Sequence, residues 1–452
     1  MSQAPSANAG LLGGFVRAAQ SHPGRTALEL SRESLSYEKL AAWASRISRC
    51  IIRHQPDSRP LACVFALRSV SAYTGVLGVL ASGKGYVPLH PRFPPDRTQR
   101  LLSLSEGNVI VVDRDALVPL EALLECNEAL LIIGPEIEDF GPLAARFSRH
   151  RFVSATELAT FDARLEPPQV AADSIAYLLF TSGSTGLPKG VPVTHRSVLA
   201  YVDYAAERYQ LTPEDRTSQT FDLTFDLSVH DLFVTWASGA CLCCLPERTL
   251  MAPARFIRDR SLTRWFSVPS VAMMMDRLRM LKPGAFPTLR TSLFCGEALP
   301  ARTASSWAKA APNAVLDNLY GPTEATIATT VYRWREPDSH SECENRIVPI
   351  GWPFPRQQVA VVDERGVEVE EGKVGELYLS GPQLASGYWK DQVKTAERFC
   401  RIEGHGDRVW YRTGDLVRRA AGGCLHFVGR TDSQVQVRGH RIELQEIDGV
   451  LR

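Results

Sequence analysis

The stretch Tyr177-Leu-Leu-Phe-Thr-Ser-Gly-Ser-Thr-Gly-Leu-Pro-Lys-Gly190 carries the strongest structural signal in the sequence. An apolar run enters a loop of hydroxyl and glycine residues, and a lysine follows. Small residues let backbone N–H groups converge on a phosphate, and Lys189 adds a positive charge. The stretch is not a P-loop, because that motif opens a helix, whereas residues 190–194 read as a second short strand. Taken alone, such a loop could also be a flexible surface hairpin.

Around this stretch, short apolar runs alternate with segments of helical periodicity. We expect strands at 61–67, 109–112 and 174–180 and helices at 35–52, 70–80 and 196–209. This alternation predicts βαβ units around largely parallel sheets. After about residue 345 the sequence pattern changes to short runs typical of β-strands, at 358–362 and 376–379, which are separated by glycines and prolines. We therefore predict a smaller β-rich subdomain there, and a new helical pattern begins at 444–451.

Bulk composition narrows the classes of function. The 452 residues exceed what one core usually holds, so two or more structural units are expected. With 51 basic and 50 acidic residues, the chain has no net positive electrostatic field that would hold nucleic acid or an anionic membrane. No apolar run approaches the ~20 residues that span a bilayer, and Met1 to Gly10 lacks the features of a secretory signal. We expect a cytoplasmic protein that acts on small molecules or partner proteins.

The ten cysteines are scattered along the chain. Cys241 and Cys244 form a C-x-x-C, but no second pair follows at the spacing of a zinc site. We interpret them as buried thiols in a reducing compartment.

The string Thr181-Ser-Gly-Ser-Thr-Gly-Leu-Pro-Lys-Gly190 resembles the phosphate-binding signature of the adenylate-forming superfamily. This superfamily includes acyl-CoA synthetases, luciferases and the adenylation domains of nonribosomal peptide synthetases. Further strings resemble its motifs in the family's order: Leu35-Ser-Tyr-Glu-Lys-Leu40, Ser82-Gly-Lys-Gly-Tyr-Val-Pro88, Asn318-Leu-Tyr-Gly-Pro-Thr-Glu324, Gly375-Glu-Leu377, Tyr411-Arg-Thr-Gly-Asp-Leu416 and Gly429-Arg-Thr-Asp432.

The resemblance implies an α/β fold with an N-terminal adenylation core at 1–431. The core would divide into two α/β subdomains, at about 10–345, and a β-rich subdomain at about 346–431. A hinge at Asp432 would begin a C-terminal subdomain, of which 432–452 is only the start.

The resemblance also implies the reaction. A carboxylate attacks the α-phosphate of ATP and pyrophosphate leaves, so the site needs fixed cations and aimed donors. The implied ATP-binding residues are Thr181, Ser182, Gly183, Ser184, Thr185, Gly186, Lys189, Asn318, Tyr320, Gly321, Thr323, Asp415 and Arg430. Lys189, Thr323 and Glu324 are the implied catalytic residues.

Within this set, the resemblance assigns individual roles. Tyr320 would line the adenine, and Thr323 would touch the α-phosphate. Glu324 would hold Mg²⁺, a hard cation that prefers carboxylate oxygen. Asp415 would accept hydrogen bonds from the ribose hydroxyls, and Arg430 would support the ribose or phosphate. From residue type alone, Tyr320 could instead be a core aromatic and Glu324 a solvated carboxylate.

The segment Phe225-Asp-Leu-Ser-Val-His-Asp-Leu-Phe233 resembles the F-D-x-S segment of amino-acid adenylation domains. Asp226 has the place of the carboxylate that binds the substrate ammonium, and a buried carboxylate needs such a cation. A structural Asp that caps the following turn is the alternative. Aligning the other pocket positions gives Leu227, His230, Ser270, Leu293, Cys295, Leu319, Ile327 and Ala328. This apolar lining of modest size implies a small or medium neutral amino acid, such as an alanine-, serine- or proline-like one.

The string Phe294-Cys-Gly-Glu297 is similar to the D-alanyl carrier-protein ligase branch, where we expect an apolar residue in place of His230. His230 could hydrogen-bond a polar substrate or simply close the pocket floor, and proline remains open as substrate. The resemblance thus implies formation of an aminoacyl-AMP and its transfer to the phosphopantetheine thiol of a carrier protein. The rivals are an acyl- or aryl-CoA synthetase and a non-catalytic adenylate-binding protein.

The pattern departs from the family near the end of the sequence. Gln436 stands where a lysine is usual, Leu444-Gln-Glu446 replaces L-G-E, and the catalytic lysine of the smaller domain is absent. We therefore expect binding of ATP and amino acid but poor catalysis, from a trimmed chain rather than a natural truncation. Because Met1 closely precedes the first motif, we also expect a free-standing enzyme.

Overall fold

The fold consists of three large β-sheets and the helices that cover them. The computed structural model describes residues 9–31, 33–55, 57–126, 128–182, 188–246, 249, 251–432, 434–437 and 440–443. Within these residues, the helices are α1 (Gly13–Ser21), α2 (Tyr37–His54), α3 (Val70–Ala81), α4 (Pro95–Ser105), α5 (Leu117–Leu124), α6 (Gly141–Arg146), α7 (Ala155–Leu158), α8 (His195–Tyr209), α9 (Leu227–Val229), α10 (Thr235–Ala237), α11 (Pro253–Asp259), α12 (Pro269–Arg277), α13 (Ala301–Ala310) and α14 (Gln392–Arg398). A π-helical turn, His230–Val234, joins α9 to α10.

The strands are β1 (Thr26–Glu29), β2 (Ser34–Ser36), β3 (Leu61–Phe65), β4 (Gly85–Leu89), β5 (Val109–Val112), β6 (Leu131–Ile133), β7 (Arg151–Val153), β8 (Ile175–Thr181), β9 (Lys189–Thr194), β10 (Arg216–Gln219), β11 (Cys241–Cys244), β12 (Arg264–Ser267), β13 (Thr291–Phe294), β14 (Val315–Tyr320), β15 (Thr330–Trp334), β16 (Trp352–Pro353), β17 (Gln358–Val362), β18 (Val374–Ser380), β19 (Phe399–Cys400), β20 (Trp410–Arg419), β21 (Leu425–Arg430), β22 (Gln434–Val437) and β23 (His440–Glu443).

Two mixed sheets with parallel centres form the larger part of the molecule. One has nine strands in the order β16-β15-β14-β13-β12-β10-β11-β1-β2, and the other has seven in the order β7-β6-β5-β3-β4-β8-β9. The β8–β9 pair is an antiparallel hairpin, as the sequence predicts. Parallel strands need crossover connections, which the helices supply. The expected α/β architecture is confirmed.

A third sheet follows in the later part of the chain. Its strand order is β17-β18-β20-β19, and β21 pairs with β20. All pairings in it are antiparallel. The strands expected at 358–362 and 376–379 are its first two members. Strands β22 and β23 form a separate ribbon, and the helical pattern expected at 444–451 lies outside the described residues.

Two predicted boundaries shift for local reasons. Helix α2 begins at Tyr37 because Ser36 caps it, its hydroxyl accepting from the backbone N–H of Lys39 at 3.3 Å. Strand β3 ends before Leu67, whose backbone N–H donates to Asp113 Oδ2 at 2.7 Å instead of a neighbouring strand. Helix α3 is buried on every side, which fits its mostly apolar sequence. Among the described residues, no helix is long and apolar enough to cross a membrane.

Candidate active site

The connection between β14 and β15, residues 321–329, is the structural centre of the site. Thr326 and Ile327 have left-handed backbone angles, with φ of 58° and 72°. This conformation is strained for β-branched residues and persists only where the surroundings enforce it. The Gln383 side-chain amide does so by donating to the carbonyls of Ala328 at 2.7 Å and Thr326 at 3.1 Å. At Gly321 an added Cβ would lie 2.5 Å from Ala328 Cα, so the backbones approach too closely for any side chain.

Asp226, at the start of α9, is buried and faces this connection. Burial raises the pKa of its carboxyl to about 7, although hydrogen bonds from the Thr323 side chain and the Ile327 backbone lower it. Its Oδ2 has no hydrogen-bond partner in the described part of the chain. Leaving a buried carboxylate oxygen unpaired is unfavourable. The arrangement therefore suits a cationic group placed against Oδ2.

Glu324 is fully buried, so its interpretation as a solvated carboxylate is wrong. The hydroxyl of Tyr388 donates to Glu324 Oε1 at 2.8 Å. The Lys189 ammonium lies 5.8 Å from the centre of the Tyr388 ring. Tyr388 thus contacts both Glu324 and Lys189, which are far apart in sequence. Sequence reasoning missed Tyr388; the aromatic pair that it forms with Trp389 was the available signal.

The hairpin β8–β9 carries the predicted phosphate-binding residues. Thr181 and Lys189 are cross-strand partners at the end of the hairpin next to its connecting loop. The Thr181 hydroxyl is buried and makes no hydrogen bond with any described residue. The predicted positions Gly183, Ser184, Thr185 and Gly186 lie outside the described residues.

Asp415 belongs to the third sheet and is a further buried carboxylate of the site, besides Asp226 and Glu324 on the other elements. The Tyr320 hydroxyl and the Arg430 guanidinium both bond to its carboxylate. Arg430 is the cross-strand partner of Asp415 on β21 and also pairs with both oxygens of Asp432, at 2.7 and 2.8 Å. Burial, followed by the charge of Asp415, raises the pKa of Tyr320 well above its usual value. Asn318 lies nearby in β14 and donates to the carbonyl of Pro349 at 2.9 Å.

Seven of the predicted pocket residues beside Asp226 are buried: Leu227, His230, Leu293, Cys295, Leu319, Ile327 and Ala328. Burial, with a smaller contribution from Asp226, raises the pKa of the Cys295 thiol. Ser270 is only partly buried, and its backbone N–H donates to Glu297 at 2.8 Å. Phe266, missed by sequence reasoning, lies with its ring 4.8 Å from that of His230.

The cysteines of β11 do not form a C-x-x-C site. Side chains alternate along a strand, so Cys241 and Cys243 pack into one hydrophobic core and Cys244 packs into a different one. Cys241, Cys243 and Glu29 have potential ligand atoms within 4.8 Å of one another. However, Arg216 and Arg260 form ion pairs with the two oxygens of Glu29. All ten cysteines are free thiols.

Known proteins resemble this chain in sequence. The family described as AMP-binding enzyme matches residues 15–389. Pyochelin synthetase PchF of Pseudomonas aeruginosa is 34% identical over 99% of this chain, which spans 23% of that protein's length. D-alanine--D-alanyl carrier protein ligase of Lacticaseibacillus casei is 30% identical over 96% of this chain and 80% of its own length.

The fold has a similar counterpart among solved structures. The Vibrio cholerae adenylation domain AlmE, solved in complex with glycyl-adenosine-5'-phosphate, has a TM-score of 0.87 and 33% identity. The match covers 100% of this chain and 85% of that one.

Proposed function

Because the chain belongs to the AMP-binding enzyme family of adenylate-forming ligases, we propose that it activates a small or medium neutral amino acid as its aminoacyl-AMP. The observation that carries this proposal is the buried Asp226 with its unpaired Oδ2. An amino acid brings an ammonium group that meets this oxygen, whereas a fatty or aryl acid brings none. The relatives named above support the same class, since one is a D-alanine ligase and another was solved with a glycyl adenylate.

The chain's own groups suit the two ends of the substrate complex. Asp226 would bind the ammonium and leave the substrate carboxylate near Thr323, whose side chain hydrogen-bonds Asp226. A carboxylate oxygen then attacks the α-phosphorus, and the bond to pyrophosphate breaks. Asp415 would accept hydrogen bonds from the ribose, and Tyr320 would line the adenine. Arg430 holds the Asp415 carboxylate in place for this role.

The phosphates require positive charge and donors. Lys189 supplies a fixed cation beside Tyr388, and the Thr181 hydroxyl is available as a donor at the hairpin end. Glu324 fits a Mg²⁺ ligand, because its hard carboxylate oxygen is buried and oriented by Tyr388. Bound there, Mg²⁺ would neutralise charge on the phosphate oxygens. We include ATP and Mg²⁺ in the proposal on these grounds.

A second half-reaction belongs to the same proposal. The aminoacyl-AMP would be attacked by the phosphopantetheine thiol of a carrier protein, and AMP would leave. This step is supported by similarity to the D-alanyl carrier protein ligase; the matched region covers 80% of that ligase's length.

The test is amino-acid-dependent exchange of pyrophosphate into ATP, with a panel of amino acids and of matched acids lacking the amine. Because the sequence predicts poor catalysis, we expect slow exchange, and only with small neutral amino acids. Asp226→Ala should abolish amino-acid binding, measured by calorimetry, and leave ATP binding unchanged. Asp113→Asn is the matched control, because Asp113 is equally buried but caps a turn after β5.

Two results would contradict the proposal. Exchange only with acids that lack the amine would identify an acyl- or aryl-CoA synthetase. Absence of exchange together with adenylate binding would indicate a non-catalytic binding protein.

A further inference from the structure

Cys241, Cys243 and Glu29 form a cluster of potential metal ligands that the proposed function does not use. Cys243 on β11 is the cross-strand partner of Glu29 on β1, and Cys241 lies two positions earlier on the same strand. Because side chains alternate along a strand, all three point to one face of the nine-stranded sheet. Helix α9, which follows Asp226, belongs with Cys244 to the hydrophobic core on the other face. The cluster is therefore separate from the amino-acid site.

The spacing of the ligand atoms fits a tetrahedral zinc site. The two Sγ atoms lie 3.8 Å apart, and Cys243 Sγ lies 3.8 Å from Glu29 Oε2. A Zn–S bond is about 2.3 Å long, so tetrahedral angles place two zinc-bound thiolates about 3.8 Å apart. The same angles with a Zn–O bond of about 2.0–2.2 Å place a thiolate about 3.5–3.7 Å from a carboxylate oxygen. The cluster therefore needs little rearrangement to surround one cation.

Two arginines hold the carboxylate from outside the cluster. Arg216 and Arg260 form ion pairs with the two oxygens of Glu29. Each carboxylate oxygen has a further lone pair, and a ligating carboxylate usually accepts hydrogen bonds from neighbouring residues. Binding of Zn²⁺ to two thiols releases two protons, so the net charge of the buried site does not change. The arginines therefore oppose Zn²⁺ no more than they oppose the two protons that it replaces.

The burial of the cluster also suits a thiophilic cation. Cys243 is fully buried and Cys241 nearly so, and a contact between two thiols is a weak hydrogen bond. Replacing this contact by two zinc–thiolate bonds therefore loses little. The side chains of Arg216 and Arg260 are 31% and 30% exposed, which leaves a route from solvent past the carboxylate.

We propose that Cys241, Cys243 and Glu29 bind one Zn²⁺ ion, which joins β1 to β11. This inference goes beyond the proposed function and does not depend on it. The sequence pattern of Cys241 and Cys244 does not indicate the site, because its third ligand comes from β1. Since the ion binds only where the two strands are paired, it should stabilise the folded chain.

The test uses the reduced, metal-free protein with the metal alone. Calorimetric titration with Zn²⁺ in buffers of different ionisation enthalpy should show one ion bound per chain and about two protons released. The affinity should fall as the pH is lowered, because protons compete for the thiolates. Co²⁺ in place of Zn²⁺ should give the charge-transfer absorption of a thiolate-ligated ion. Zn²⁺ should also raise the midpoint of thermal unfolding.

Cys243→Ser should weaken Zn²⁺ binding by more than about 100-fold, because loss of a residue that merely supports a ligand costs about 10–100-fold. Cys244→Ser is the matched control, because Cys244 lies on the same strand with its side chain in the other core. It should leave Zn²⁺ binding unchanged.

Two results with the unaltered protein would overturn the inference even if a variant failed to fold. One is the absence of stoichiometric Zn²⁺ binding, and the other is a Co²⁺ complex without the thiolate absorption. Equal Zn²⁺ affinity of Cys243→Ser and Cys244→Ser would overturn it as well, because the ion would then bind elsewhere. The proposed function stands in each case, since none of these measurements involves the amino acid or ATP.

Discussion

Among single residues, Asp226 links function to stability, because the site keeps a carboxylate buried and partly unpaired. Its folded pKa of about 7 lies above the ordinary 3.8. The folded state therefore holds this proton more tightly than the unfolded state. The stability associated with the protonated form is present below about pH 4 and is lost as the pH rises towards 7. Above pH 7 the Asp226 carboxylate is charged in the folded state, and the folded state carries the full cost of burying that charge.

We predict that Asp226→Asn stabilises the fold at pH 8 and not at pH 4. The asparagine oxygen can still accept from Thr323 and Ile327, and no buried charge remains. The expected gain in the free energy of unfolding at pH 8 is on the order of a few kcal/mol. Urea unfolding at both pH values measures it. A gain of equal size at both pH values would show that the pKa of Asp226 is not raised in the folded state.

At the scale of elements, Gln383 holds the β14–β15 connection from outside it. Gln383 follows β18, in another sheet, and its amide donates to the carbonyls of Thr326 and Ala328, on either side of the strained Ile327. The connection in turn presents the Ile327 N–H to Asp226. A substitution at Gln383 should therefore weaken amino-acid binding through the connection, although Gln383 does not contact the amino acid itself.

We predict that Gln383→Ala lowers the free energy of unfolding by about 1–3 kcal/mol, because buried carbonyls lose their donor. It should also weaken amino-acid binding while ATP binding changes less. Gln358→Ala is the control, because Gln358 is an exposed glutamine on β17 in the same sheet. Denaturation and calorimetry measure the two effects. If amino-acid affinity stayed unchanged, the strained conformation would not depend on Gln383.

The elements also show which features were predictable from the sequence. Lys189, Glu324 and Asp226 were predicted because each lies in a contiguous string that resembles a motif of the family. Their partners were not, because those contacts join distant segments: Tyr388 lies 64 residues from Glu324. The aromatic pair Tyr388-Trp389 is visible in the sequence, but it does not indicate that Tyr388 orients another side chain. The strand and helix positions followed from periodicity, whereas their ends depended on side-chain caps such as Ser36.

For the whole molecule, the three sheets contribute to one continuous site. The seven-stranded sheet provides Lys189, the nine-stranded sheet carries the connection with Glu324, and the third sheet provides Asp415. Asp415 and Asp226 are joined through this region, since the hydroxyl of Tyr320, at the end of β14, bonds to Asp415, and Thr323, in the connection, bonds to Asp226. A ligand that reaches from Asp226 to Asp415 would therefore bridge the sheets.

We predict that a non-hydrolysable aminoacyl-adenylate analogue binds about 10²–10⁴-fold more tightly than its amino acid or AMP, because joining the two halves makes the second contact intramolecular. It should raise the midpoint of thermal unfolding well beyond an equimolar mixture of the halves. Asp226→Ala or Asp415→Ala should each remove most of this gain, whereas Asp363→Ala, in an exposed turn after β17, should keep it. Equal shifts from the analogue and the mixture would mean that Asp226 and Asp415 do not bind one ligand.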